Sequence, residues 1–371
     1  MSINLNGFEA LEDRVLLAGN VTVAFNAAGD IVVTGDNAAN EIQFEDNDGD
    51  GSYTIVGLNG TTVTSSAAVI AANIFDSNDN DAMAVGAGLV AGDTLIVNLG
   101  KGNDYLSVID QDSGGDLTVG INFTVNMGAG DDYVYIGRDV DDGINFGNVK
   151  IDLGAGNDGL EMHEFYADTL DVKAGDGDDN LDIGDFDAGS VSLSVGAGND
   201  GIYLHEFGAN SVVVSGGAGN DDMLIEDANM GAINIDLGAG NDFFEMYGFS
   251  ANSVSLSGGN GSDEIEISDA DMDALNVDGG AGSDIVGINN IEVDRTSIKM
   301  DGNNDLVGIS GSSFYNSFNL QGGAKNDGVE IGSSIFSGVN TLNGGGGTNV
   351  LADLGGNTFS AATTIKFFNF V

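Results

Sequence analysis

The chain contains no cysteine, no proline and no tryptophan, and it sets 9 basic residues against 59 acidic ones in a length of 371. Without cysteine there are no disulfides and no thiolate chemistry. Without proline nothing interrupts a backbone ladder, which suits a chain made of strands. Helix signals are also missing, because no long apolar stretch recurs at a period near 3.6 residues between caps. No run approaches 18 apolar residues, so no membrane span is expected. A net charge of −50 repels nucleic acid and anionic membranes and favours cations as partners. Acidic chains are often disordered, but a hydrophobic content of 42% and regular patterning argue for a folded body.

Glycine is abundant, with 60 residues, and its placement is periodic. Asp158, Asp179, Asp200, Asp221, Asp242, Asp263, Asp284 and Asp305 follow one another at intervals of 21 residues. Most close a loop of small residues, as in Gly154-Ala155-Gly156-Asn157-Asp158 and Gly196-Ala197-Gly198-Asn199-Asp200. A fixed period of this length is the mark of a solenoid whose repeats stack on their neighbours. Upstream, Asp104 and Asp132 end similar loops at spacings of 28 and 26; downstream, Asp327 and Asn349 follow at 22. Asn40, before Glu41-Ile42, imitates the same loop exit with Asn in the place of Asp.

Counted from each column Asp, apolar residues fall at offsets +2 and +4 and again at +12 and +14; after Asp158 they are Leu160, Met162, Leu170 and Val172. A spacing of two predicts strands with one buried face. The expected fold is therefore an all-β parallel solenoid with 21-residue rungs, two short strands per rung and Gly-Asp turns along one edge. The far turn lies near +6 to +10. At +7 stand Phe165, Phe186, Phe207 and Phe249; where Ala228 and Ala270 replace Phe, Met230 and Met272 appear two residues later. One large apolar side chain per rung fills that edge, which is core packing rather than a ligand site.

Carboxylates stacked about 5 Å apart repel by roughly 3 kcal/mol at an effective dielectric of 20. The Gly-Asp loops aim carbonyls and one carboxylate at a common point, and an all-oxygen set of this kind suits Ca²⁺. They resemble the hemolysin-type calcium-binding repeats of RTX proteins, Gly-Gly-x-Gly-x-Asp-x-apolar-x. Gly216-Gly217-Ala218-Gly219-Asn220-Asp221-Asp222-Met223 and Gly279-Gly280-Ala281-Gly282-Ser283-Asp284-Ile285-Val286 match in full, and the likeness covers about residues 98–349. The resemblance implies Ca²⁺ ligands at Asp104, Asp132, Asp158, Asp179, Asp200, Asp221, Asp242, Asp263, Asp284, Asp305 and Asp327. It departs from the family in one respect: RTX rolls use 9-residue units with a calcium edge on both sides, whereas one motif per 21 residues implies ions along one edge only. The competing reading is that Asn and Asp merely form turns, with a stacked Asn ladder.

A second Ca²⁺ candidate is Asp46-Asn47-Asp48-Gly49-Asp50-Gly51, the first half of an EF-hand loop; position twelve is Gly57 rather than Glu, and the flanks read as strands. Asp76-Ser77-Asn78-Asp79-Asn80-Asp81 reads as a solvated loop. Leu11-Glu12-Asp13-Arg14-Val15-Leu16-Leu17 resembles the LEPR-XLL motif of bacterial surface and secreted proteins, with Asp13 in place of the motif's Pro. That likeness implies export to the cell surface or beyond. The chain then divides into an export-like segment or first cap strand at 1–19, an N-terminal β cap at 20–98, the repeat solenoid at 99–349 and a cap, assembly or secretion tail at 350–371.

No catalytic constellation emerges. The two histidines, His163 and His205, lie two rungs apart, about 9–10 Å by strand spacing, too far for one metal. They read as surface residues. The expected function is an extracellular, calcium-stiffened structural subunit of a surface, matrix or fibre, self-associating end to end, and not an enzyme. The alternative is a calcium-dependent adhesin gripping a surface glycan, with a polysaccharide lyase behind both.

Overall fold

A computed structural model describes residues 19–28, 30–46, 53–65, 82–85, 94–110, 118–138, 144–360 and 362–370. Residues 11–17, Asp48, Asp50 and residues 76–81 lie outside them, so the export-like motif, most of the EF-hand-like loop and the second acidic loop have no structural account; of Asp46 only its place at the end of the strand Glu41–Asp46 is described. The described residues are all β, without a helix, and form a parallel β-solenoid of about 12 turns. No helix among them is long and apolar enough to cross a membrane.

The spacing of apolar pairs determines how each rung closes. In the rung that follows Asp158, the strand Gly159–Asp176 turns its residues at +2, +4, +7, +9, +12, +14 and +16 inward, and all are buried. The two limbs read from the sequence belong here to one continuous strand bent at two corners. Pairing with the next rung, Asn180–Ala197, runs from Gly159↔Asn180 to Asp176↔Ala197 but skips the residues at +6, +10 and +16. The corner at +6 takes a left-handed conformation at Glu164, Asp185, Glu206, Asp227, Asp269 and Asn290, with φ of 50–55°. That turn reverses the in-out alternation, so +4 and +7 both face the core. In earlier and later rungs the limbs are separate strands, such as Tyr133–Arg138 and Ile144–Ala155.

Parallel in-register stacking places each core side chain on its own counterpart. The rings of Phe165, Phe186 and Phe207 stack with centroids 4.9 Å apart. The compensation seen in sequence is physical: Phe at +7 sits beside Ala at +9, and Ala228 and Ala270 sit beside Met230 and Met272, all buried. One core position escaped the sequence reading. Offset +16 carries Ala174, Val195, Leu237 and Met300, buried against the loop, and Gly216, Gly258 and Gly279 in other rungs.

At the N-terminal side the hairpin of Asn20–Phe25 and Ile31–Thr34 is antiparallel, as are the pairings of Tyr53–Gly57 with Glu41–Asp46 and with Ala82–Val85. Ile31–Thr34 and Glu41–Asp46 then pair in parallel with Thr94–Lys101 and Tyr105–Asp110, continuing the stack. The aromatic tail lies on the last described rung: Thr363–Lys366 pairs with Val339–Asn343 and Phe368–Phe370 with Asn349–Gly355. Phe336 stacks between Phe314 and Phe359 at centroid distances of 4.8 Å.

The volume trade at the far edge gives a direct test. Ala228→Phe alone is expected to overpack against Met230 and cost about 1–3 kcal/mol. Combined with Met230→Ala it recreates the Phe207–Ala209 arrangement, and most of that loss is recovered in chemical denaturation. Phe207→Ala, which only empties the edge, costs about 3–5 kcal/mol.

Candidate functional site: a buried aspartate ladder

The Gly-Asp edge is built by backbone geometry before any side chain acts. Gly154 and Gly156 hold φ of 111° and 142°, a region closed to most side chains. A Cβ on either would also collide with the carbonyl of the glycine below it, Gly128 or Gly130. Glycine stacked on glycine therefore lets consecutive loops close to backbone contact.

The two residues that follow the glycines make two ladders. Successive amides of a strand point toward opposite neighbours, so the loop needs an acceptor on each side. On the outside, the Asn157 amide donates back to Asp131 Oδ1 at 3.0 Å, the Asp178 amide to Asn157 Oδ1 at 3.0 Å, and Asn199, Asn220 and Asn241 continue the exposed chain at 2.7–2.9 Å. On the inside, the Asp158 amide donates forward to Asp179 Oδ1 at 2.8 Å, Asp179 to Asp200 at 2.8 Å and Asp200 to Asp221 at 2.9 Å. The inner ladder runs without a break from the Asn40 amide on Asp104 through Asp132, Asp242, Asp263, Asp284, Asp305 and Asp327 to Asn349, at 2.5–3.3 Å. The eleven aspartates predicted from sequence are thus brought into one column.

The column is not on the surface. Its aspartates are at most 4% exposed and turn inward, beside the apolar +16 residues. Oδ1 of each is occupied by an amide, while Oδ2 of each is buried without a hydrogen-bond partner. The two asparagines at the ends show what that second position is shaped for. Asn40 Nδ2 donates to the carbonyls of Ala38 at 2.8 Å and Leu99 at 3.3 Å; Asn349 Nδ2 donates to Gly346 and Phe367 at 3.2 Å. Aspartate puts an oxygen in that place. At Gly322 a side-chain carbon would meet Asp327 Oδ2 at 2.7 Å and the Gly344 carbonyl at 2.9 Å, so two oxygens share one small space.

A carboxylate oxygen buried without a donor is costly unless a cation or a proton compensates it. For Ca²⁺ each aspartate leaves one oxygen, Oδ2, uncommitted. The ion takes six to eight oxygens at about 2.3–2.6 Å. Here the gap between successive aspartates is filled by the amide–Oδ1 bonds, and beside Oδ2 stands the +16 residue, apolar in some rungs and Gly216, Gly258 or Gly279 in others. A proton on Oδ2 would supply the kind of donor that the side-chain amide supplies at Asn40 and Asn349.

Burial pushes these acids upward, from the ordinary 3.8 to about 8 at Asp132, where the Asp104 and Asp158 charges add to it, and to about 7 at Asp179. Asp104, Asp158, Asp221, Asp263, Asp284 and Asp305 rise to about 6 for the same reason, with the donated amide pulling the other way. Asp200, Asp242 and Asp327 are also raised by burial.

The histidine expectation is corrected by the structure. Although two rungs apart, the rings of His163 and His205 approach to a centroid distance of 5.4 Å. The residue between them in the stack is Gly184, which has no side chain to keep them apart.

The folded-state values lie above 3.8, so the native state holds more protons than the unfolded chain between about pH 4 and about pH 8. The column's contribution is complete below pH 4 and lost as pH rises through about 6 to about 8. In chelator, the melting temperature is expected to be higher at mildly acidic than at alkaline pH; an increase toward alkaline pH contradicts the protonated ladder. Asp221→Asn supplies the missing donor and raises stability at alkaline pH by about 1–2 kcal/mol, whereas Asp221→Ala leaves the Asp200 amide unpaired and costs about 1–3 kcal/mol.

No protein-family model matches the chain, and a search of the curated proteins returns no match.

Proposed function

We propose that this protein is a structural rod, exported and used as a surface, matrix or fibre subunit. The observation that supports it is the unbroken ladder from Asn40 to Asn349, in which the same loop position is repeated from rung to rung. Such repetition suits a scaffold with uniform sides better than a single reaction centre. A charge of −50 keeps the sides of neighbouring rods apart. Self-association would proceed through the ends, where the strands of the last described rung each pair on one side only among the described residues. The export reading rests on the motif-like segment 11–17.

Calcium enters this proposal through the resemblance to RTX repeats, and one experiment separates it from the protonated ladder. The untagged full chain is followed by circular dichroism and electron microscopy across pH, with chelator and with Ca²⁺. Retained β-signal in chelator, with filaments at mildly acidic pH, is the expected result. β-signal that disappears in chelator and returns with Ca²⁺ would place the ion at the column after the loops open. Dispersed monomers under every condition would overturn the fibre reading, and binding of those monomers to an acidic or neutral glycan would favour the adhesin.

A further inference from the structure

Outside the ladder, one group of side chains has the chemistry of a ligand set. It lies on the outward face of three consecutive rungs. Offset +3 carries Glu161, Asp182 and Tyr203 in register, and offset +5 carries His163, Gly184 and His205. The middle rung thus presents a carboxylate at one position and a void at the next.

The void is what assembles the group. A Cβ on Gly184 would run into the His205 ring. His205 leans over this glycine, and its ring comes to a centroid distance of 5.4 Å from that of His163, two rungs away. His205 Nε2 lies 3.3 Å from Asp182 Oδ1, and one ligand atom from each of His163, Asp182 and His205 falls within 4.8 Å of the others. Glu161 Oε1 lies 3.6 Å from His163 Nε2, a further oxygen on the His163 side of the group.

The surroundings hold the group in position. Tyr203 stacks on the His205 ring with centroids 4.5 Å apart and planes 18° from parallel, and its hydroxyl bonds to Glu226. The Tyr133 hydroxyl donates to Glu161 Oε2 at 2.6 Å. The side chains of His163, His205 and Asp182 are 22%, 15% and 24% exposed, so the group is reachable from solvent yet not free in it.

We infer that His163, Asp182 and His205 form a binding site for a divalent transition metal of the zinc class, created by the gap at Gly184. Two imidazoles with a carboxylate suit Zn²⁺, Cu²⁺ or Ni²⁺ and disfavour Ca²⁺, which takes oxygen donors only. A tetrahedral ion with bonds near 2.0–2.1 Å sets its ligand atoms roughly 3.3 Å apart. The observed separations close to that by side-chain rotation on a rigid sheet. Three protein ligands leave a fourth position for Glu161 or water, and the acidic surface raises the local concentration of any cation. The site is independent of the ladder, whose carboxylates point to the other side of the sheet.

The test uses the untagged full chain, stripped with chelator and titrated with Zn²⁺ in calorimetry against an excess of Ca²⁺. One equivalent is expected to bind with Ca²⁺ present, and Co²⁺ in its place gives visible absorption of a mixed nitrogen and oxygen ligand set. His205→Ala weakens this binding by at least about 100-fold, the upper end of what changes around a metal site cost. Gly184→Ala, which forces the His205 ring aside, weakens it as well, while both variants keep the wild-type melting temperature in chelator. Zn²⁺ binding that is displaced by Ca²⁺, or is unchanged in His205→Ala and His163→Ala, would assign the metal to the general acidic surface and overturn the site.

Discussion

Parallel stacking at about 4.9 Å is the constraint from which the rest of this molecule follows. It makes each residue the neighbour of its counterpart one rung away. Phenylalanine stacks on phenylalanine or on a residue of compensating volume, the positive-φ glycines of the regular loops sit on glycine, and a charge repeated in every rung becomes a row of like charges. Apolar and glycine columns gain from this repetition. A carboxylate column does not, unless its charge is spread, screened or removed.

The molecule answers this differently for its outer and inner faces. Acidic residues at the far corner, such as Asp185, Glu206 and Asp227, stay near water, where repulsion is screened. Those on the inner ladder are withdrawn from water altogether. Each keeps one oxygen on a neighbour's amide and leaves the other buried without a donor. In the second place an amide group is the natural occupant, as Asn40 and Asn349 demonstrate. A column of aspartates there couples rung cohesion to proton availability, which a column of asparagines would not do.

Much of this was legible in the sequence because stacking writes the structure as a period. The register of the column, the apolar pairs at +2, +4, +12 and +14, and the exchange of Phe207–Ala209 for Ala228–Met230 are all direct images of the core. Three features were not legible, each for a physical reason. The core position at +16 alternates between apolar residues and glycine, so Gly216 and Gly258 disguise it as part of the loop. The place of the corner within the far turn read at +6 to +10 depends on left-handed backbone at +6, which Asp185, Asp227, Asp269 and Asn290 favour but Glu164 and Glu206 do not announce. The meeting of His163 and His205 depends on the missing side chain of Gly184, and spacing along the stack counts rungs, not voids. The direction of the column's carboxylates belongs to the same class. A Gly-x-Gly-Asn-Asp loop names two polar residues but does not say which one turns inward.

The two ladders also give the rod a direction. Inner amides all point forward along the stack and outer amides all point backward. At the N-terminal end of the inner ladder the buried Asn40 Oδ1 has no donor among the described residues, while at the far end Asn349 is the last acceptor for an amide from below. The ends are therefore chemically unlike, in the way the ends of a polar filament are. A second copy continuing the stack has to enter with the same orientation, head to tail, because an inverted copy would set amide against amide and oxygen against oxygen. Growth of such an assembly is vectorial, and a single inverted rung is enough to terminate it.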